Sequence, residues 1–405
     1  MIILVFNSGS SSLKFALFVS SAQGDLHAAI RGNVYRFGQE GRCRWDGDAG
    51  TDGEFGLSAR DHEEAAATVI GKLQRVGSTA APMAKLDAVA HRVVHGGELF
   101  SSPVRIDSVV LEKIEELGRL APLHNPFAVQ AMRAAASTLG QRVPMVAVFD
   151  TGFFHDLPEH ARHYALPAAW DAGGTLRRFG FHGIAHRYLY ERYLETSSAD
   201  ARTSRIVTLQ LGEGASMAAI RGGATLDTSM GMTPMEGLIM ATRCGDVDPG
   251  VLLHLLIEQG MRPEALDEGL NRQAGLLGLS GASADMRELL ELEAHGHVGA
   301  ALAVRAYCHR VRKYLGAYFA VLGGADAVVF GGGVGENAPP IRSRTCADME
   351  WAGLVLDESA NAAARGVEAR ISAQHSAIAA YVYPVNEELL IARETQTLLT
   401  GSGGH

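Results

Sequence analysis

The chain writes one short design twice, about two hundred residues apart: an apolar strand, a polar residue, a Gly/Ser turn and a second apolar strand. In the first copy IILVF leads through Asn7, Ser8, Gly9, Ser10, Ser11 and Ser12 into LKFALF. In the second, RIVTL leads through Gln210, Leu211, Gly212, Glu213, Gly214, Ala215 and Ser216 into MAAI. In both, a glycine falls two places after the polar residue. Glycine lets a backbone turn at positive φ and come close to a ligand, and successive free N–H groups in such a turn form an anion-binding concavity. Either turn alone reads as an ordinary hairpin. The shared offset reads as duplicated domains facing one phosphate chain.

Between and after the hairpins, strands and helices alternate as α/β domains require. LDAVAHRVVHGG and VPMVAVFDTGF read as buried strands running into polar turns, and VVLEKIEELGRLAPLHNP and NPFAVQAMRAAASTLG as helical stretches. A helix near Val251 to Gln259, a long helix from Gly299 to Leu322, the strand ADAVVF and the strand AIAAYVYPV follow. The expected organisation is a first domain over 1–150, a second over 151–385, a final helix over 386–399 that packs back on the first, and a flexible tail over 400–405. With 405 residues, 47% of them hydrophobic, the chain can bury the cores this needs.

A net charge of -9 excludes a phosphate-backbone partner, because nucleic-acid binding needs a basic face. No run approaches the roughly 18 apolar residues of a membrane helix, and the apolar opening Met1 to Phe6 is too short and lacks a basic lead, so a cytoplasmic protein is expected. Cys43, Cys244, Cys308 and Cys346 lie far apart, which disfavours zinc and disulfides and leaves them as buried thiols.

Phosphoryl transfer asks for positioning and charge neutralisation, hence for Arg, Lys or His and for carboxylate or amide groups that hold a metal. Arg92 in HRVVHGG, His124 in APLHNP, Asp150 in VFDTG, His182 in RFGFHG, Arg243 in MATRCGDVDPG and Glu387 in PVNEELLIAR each end or interrupt an apolar run. His91 and His95 have metal-ligand spacing only on a helix, and VAHRVVHGG reads as a strand. His155, His160 and His163 read as a solvated loop. GGGVGEN reads as a Gly-rich turn after ADAVVF, without the lysine of a Walker A loop or the spacing of a dinucleotide fingerprint.

Taken in order, NSGSSSLKF, HRVVHGG, LAPLHNP, FDTGFH, GFHG, DTSMGMTPMEGLIMATRCGDVDPG, GGGVGEN and NEELLIAR resemble the acetate kinase family from Asn7 to about Arg393. The resemblance implies an α/β fold of two duplicated βββαβαβα domains of the actin/hexokinase/Hsp70 type, hinged across a catalytic cleft, usually as a homodimer. It implies Mg²⁺- or Mn²⁺-dependent transfer between ATP/ADP and acetate/acetyl phosphate. Carried over by position, Arg92 and Arg243 hold the carboxylate and the transferring phosphoryl group, His182 meets its equatorial oxygens, and His124 joins them. Asn7 and Glu387 match the metal positions, and Lys14, Ser10 and Ser12 the donor phosphates. The loop Gln210, Leu211, Gly212, Glu213 and Gly214 faces those phosphates. Asp285, Met286 and Arg287, with Gly333, Val334, Gly335, Glu336 and Asn337, match the adenosine site. Val94, Leu123, Phe181 and Pro234 match the acyl pocket, and Val94 favours acetate.

A carboxylate substrate is already ionised at pH 7, so Asp150 is expected to orient Arg92 or a metal-bound water rather than to act as a base. One motif departs from the family: where its members carry HLGNG, this chain carries QLGEG. Glu213 is expected to repel ATP unless Mg²⁺, Lys14 or a neighbouring Arg offsets it. The rival readings are a kinase for propionate or for another phosphoryl donor, and a catalytically weakened binding or regulatory protein of the same fold.

Overall fold

The structure, a computed structural model, describes residues 1–9, 12–35, 37, 41–47, 52–76, 85–122, 124–140, 142–171 and 173–401. Ser10, Leu123 and most of the expected tail lie outside the described residues. Contacts divide the chain into two compact units: Met1–His155 with Asn386–His405, and Asp156–Val385.

In the first unit β1 (Ile2–Ser8), β2 (Ser12–Ser20), β3 (Leu26–Tyr35), β4 (Arg42–Gly47), β5 (Gly53–Gly56), β6 (Ala88–Val93), β7 (Val104–Arg105) and β8 (Met145–Phe149) form one sheet. The order is β5-β4-β3-β2-β1-β6-β8-β7. β1 to β5 are joined antiparallel, whereas β1, β6 and β8 run parallel, which requires long crossovers. The unbroken apolar run IILVF follows from burial on both faces, since every residue of β1 is buried. Leu4 and Phe6 join Leu13, Phe15 and Leu17 in a core closed by Ala65, Val69, Ile70 and Leu73 of the helix His62–Val76 and by Ala131, Ala134 and Ala135 of the helix Asn125–Leu139. The alternate face of β1 meets the C-terminal helix Glu387–Thr400, which also packs on β6 and β8.

The second unit repeats this plan with β9 (Arg205–Leu211), β10 (Ala215–Arg221), β11 (Ala224–Thr228), β12 (Ala327–Gly331), β13 (Ala369–Arg370) and β14 (Ala379–Val382), in the order β11-β10-β9-β12-β14-β13. Its run β11-β10-β9-β12-β14 matches β3-β2-β1-β6-β8 in order and in strand direction. The helix Val298–Leu322 packs on β9, β10 and β11, and the helix Gly183–Thr196 on β9 and β12. The units therefore exchange their final helices: the long helix after β8 completes the second sheet, and the helix after β14 returns to complete the first.

Several local expectations need correction. GGGVGEN is not an extended turn: Gly332 alone bends the chain, at φ 77°, and Gly332–Asn337 winds into a helix. The helix near Val251 is Pro249–Leu253 widened into a π-helical turn over His254–Glu258. His160 sits on a short helix, Glu159–Arg162, rather than in a loop. Cys43, Cys308 and Cys346 are buried thiols, but Cys244 is only half-buried.

Candidate active site

The first unit gathers its charged groups at the carboxyl ends of β1, β6 and β8. Arg92, near the end of β6, donates from Nε and Nη2 to the two oxygens of Asp150, at 3.1 and 2.5 Å, and from Nη1 to Asn7 Oδ1 at 3.0 Å. Asn7 Nδ2 in turn donates to Glu387 at 2.8 Å and to Glu388 at 2.9 Å, and Glu387 lies 3.7 Å from Arg92. Asp150 is fully buried. Burial opposes the charge on Arg92, but Asp150, Glu387 and Glu388 outweigh it and raise its pKa further. Burial likewise raises the Glu387 carboxyl, yet Arg92, Lys14 and Asn7 together hold it below its ordinary range. The three bonds to Asp150 and Asn7 leave two of the guanidinium's five N–H bonds for a ligand. Bidentate pairing makes Asp150 a group that orients Arg92.

Three carboxylates, Asp150, Glu387 and Glu388, face two cations, Arg92 and Lys14, so the cluster carries a net negative charge. Its donor set of carboxylate and amide oxygens fits a hard divalent cation. Among the described residues no three His, Cys, Asp or Glu side chains are arranged to hold a metal by themselves.

The first turn is anchored from below. Gly9 N–H donates to Ser12 O at 2.9 Å, and His62 Nε2 lies 2.7 Å from Gly9 O, its ring packed between Phe37 and Phe127. Val94 is buried just after β6, and Asn125 bonds both backbone groups of the next residue, His95, tying that turn to the helix start at His124.

The second unit makes a cluster of its own around the QLGEG turn. Gly212 N–H donates to Gly214 O at 2.9 Å, and a methyl group on Gly212 would lie 3.9 Å from Gly333 N, so the turn and the GGGVGEN segment are neighbours. A methyl group on Gly214 would fall 2.8 Å from Arg243 Nη2 and 3.2 Å from His182 Nε2. Arg243 donates to Pro234 O at 2.5 Å; burial lowers its pKa, while Glu213 acts in the opposite direction. His182 caps the helix Gly183–Thr196 in the left-handed region at φ 57°, a conformation that costs a non-glycine residue about 1–2 kcal/mol and collects at functional sites. Phe181 beside it is buried. Gln210 Oε1 is buried with no hydrogen-bond partner among the described residues, as a group awaiting a ligand's donor would be.

Other expected ligands have structural duties. Asp285 caps the helix Met286–Ala294 and pairs with exposed Arg287 at 3.1 Å, and Met286 is buried. Glu336 accepts from the backbone N–H groups of Gly332 and Val385, at 2.8 and 2.9 Å, and Asn337 donates to Gly333 O. Sequence reasoning passed over His62, His186, Ser216 and Glu388. Glu388 was visible beside Glu387 in NEELL, and His186 stands four residues after His182 on a helix, the spacing that puts two side chains on one face.

Two units that each open on an antiparallel hairpin with a Gly-bearing turn, and add parallel strands beside it, define an α/β protein of the actin, hexokinase and Hsp70 type. The chain belongs to the acetokinase family, whose model matches residues 2–393. It is 44% identical to an acetate kinase of Solibacter usitatus over 99% of both chains. The crystal structure of Porphyromonas gingivalis acetate kinase superposes with a TM-score of 0.89 at 40% identity, covering 98% of this chain and 99% of that one. A propionate kinase from Francisella tularensis superposes at 0.88 with 33% identity, over 97% and 98%.

Proposed function

We propose that the protein is an acetate kinase that reversibly transfers the γ-phosphoryl group of ATP to acetate. One observation carries the reading: in a chain akin to acetate kinases end to end, a half-buried arginine is fixed by a bidentate carboxylate with N–H bonds to spare for an anion. Acetate is ionised at neutral pH, so an acetate oxygen forms the new bond to phosphorus as the bond to the bridging oxygen of ADP breaks, and no proton has to be removed. Arg92 orients the acetate, Asp150 orients Arg92, and Val94 limits acyl length. Arg243 and His182 are preorganised donors that meet charge on the equatorial oxygens, where it is redistributed in the transition state. Asn7 and Glu387 would hold Mg²⁺, which would supply neutralisation and orientation of the donor phosphates. The reaction requires both sets of groups to reach one phosphoryl group.

Exposed apolar side chains on the second unit, Val251, Leu253 and Ile257, the last 71% exposed, support a homodimer. No helix among the described residues is long and apolar enough to cross a membrane; the four free thiols support a reducing, cytoplasmic location. The test is a hydroxamate assay over acetate, propionate and butyrate with ATP or pyrophosphate as donor. Highest kcat/KM with acetate and ATP is expected. Preference for propionate or pyrophosphate would transfer the assignment to a rival kinase, and no turnover with any pair would leave a binding protein.

A further inference from the structure

Behind His182 runs a line of buried side chains. His182 Nδ1 is 2.8 Å from Ser216 Oγ, the same hydroxyl is 2.8 Å from His186 Nε2, and His186 Nδ1 is 2.8 Å from Thr208 Oγ1. Ser216, His186 and Thr208 are each 0% exposed, so these contacts are made out of reach of solvent. The pieces come from three elements: His186 lies one turn along the helix that His182 caps, Thr208 is on β9, and Ser216 is on β10 opposite Gln210.

The hydrogens in this line are countable. Burial drives the His186 pKa down to about 3, so its ring is neutral and carries one N–H. A hydroxyl carries one hydrogen, so Ser216 donates to one of its two imidazole neighbours and accepts from the other. Two arrangements satisfy these three contacts. In one, Thr208 donates to His186 Nδ1, His186 Nε2–H donates to Ser216, and Ser216 donates to His182 Nδ1. In the other, each bond runs the opposite way. A neutral His182 carries its proton on Nε2 only in the first arrangement, and Nε2 is the nitrogen beside the Gly214 turn and Arg243.

We propose that Thr208, His186 and Ser216 are positioning residues that hold neutral His182 in the Nε2–H tautomer, ready to donate to a phosphoryl oxygen. The proposal rests on the reading of His182 as such a donor. A hydrogen-bonded second partner that fixes ring orientation and tautomer is how reactive or ligating imidazoles are generally set. It also accounts for the left-handed backbone at His182, because the bond from Ser216 holds the ring against that conformation's cost.

The test combines ¹⁵N NMR of histidine-labelled full-length enzyme with steady-state kinetics. In the wild type with Mg-ADP and acetate, His182 should show a protonated Nε2 and a bare Nδ1. Ser216→Ala should lower kcat about tenfold, the worth of one buried hydrogen bond, with the KM for acetate within about twofold and the tautomer signature mixed. Thr208→Val keeps shape and removes only the hydroxyl; it should shift the tautomer signature in the same direction, and Thr208→Ser should restore it. An Nδ1–H tautomer in the wild type overturns the proposal. So does a Ser216→Ala or Thr208→Val enzyme that melts like wild type and keeps its tautomer signature. Unchanged turnover in His182→Ala would instead remove His182 from the reaction, a separate result from the tautomer measured in the wild type.

Discussion

Arg92 and Arg243 are both half-buried cations expected to act on the reacting anions, yet their surroundings differ, and so do the expected costs of removing them. Arg92→Ala removes the bidentate cation that faces buried Asp150, so it should lower kcat by ~10² and also destabilise the fold by about 3 kcal/mol. Arg243 is held by one carbonyl; Arg243→Ala should lower kcat by a similar ~10² while stability hardly changes. Hydroxamate kinetics beside urea titrations separate the two, and near-normal turnover in either variant would remove that arginine from the mechanism. Glu213 of the second turn is exposed and its charge acts on Arg243, the neighbouring arginine that can offset its repulsion of phosphate. Because solvent screens an exposed charge, Glu213→Asn should tighten the KM for ATP only about three- to tenfold and leave the KM for acetate alone. Weaker ATP binding would make Glu213 a ligand. His91 is buried with neither ring nitrogen hydrogen-bonded among the described residues, and burial lowers its pKa from 6.5 to about 3. The unfolded chain therefore takes up this proton first, so the stability is present above about pH 6.5 and is lost as pH falls from there toward 3. Between pH 7.5 and 5.5 the loss is about 1.4 kcal/mol for one such group. His91→Leu should make the acid fall of stability shallower by that amount, and an equal fall in both proteins would show that His91 is not the titrating group. The sequence disclosed Arg92, Asp150 and Glu387 because each interrupts an apolar run. It could not disclose that Asn7 bridges Arg92 to Glu387, a contact made only by the folded chain.

The elements that carry these side chains occupy corresponding places in the two units. Asn7 and Gln210 stand at the same step of β1 and β9, facing Lys14 and Ser216 on the next strand. Glu387 and His182 stand at the starts of the two exchanged helices. The duplication thus supplied equal positions that took up different chemistry, carboxylates in the first unit and an imidazole in the second. The second turn is the tightest of these places. Gly214 is not in the left-handed region, so alanine is compatible with its backbone, but the added methyl group would meet Arg243 and His182. Gly214→Ala should fold normally and lose about 10²-fold in kcat, as expected when reacting groups are displaced by an ångström or so. Wild-type turnover would place phosphoryl transfer away from this turn. Both hairpins were legible because strand, turn and strand are local in sequence. GGGVGEN was misread as a turn because Gly332 does all the bending, and the helix after it is stabilised by the Glu336 side chain reaching back to Gly332 N–H, which a run of glycines does not advertise.

At the scale of the whole molecule, the second sheet and the helices that cover it lie within the continuous stretch Asp156–Val385, whereas the first unit needs both ends of the chain. The first contains the earliest strand and is covered by the last helix, with 380 residues between Asn7 and Glu387. A chain ended after Val385 should keep the second sheet, whereas β1 and β6 should lose the cover of their Ile3, Val5 and Asn7 face. Hydrogen exchange reads this directly: β9 and β12 amides stay protected while β1 amides exchange. Protection of β1 equal to that in the full chain would mean that the last helix is dispensable for this unit. The exchange of helices also bears on biosynthesis. At 5–20 residues per second, roughly 20 to 80 s separate the emergence of Asn7 from that of Glu387. During that time the nascent first unit exposes an apolar sheet face that chaperones can engage. A ribosome that stops early releases a chain without Glu387 and Glu388, two of the three carboxylates gathered around Arg92 and Asn7, so the complete cluster forms only once translation has passed them.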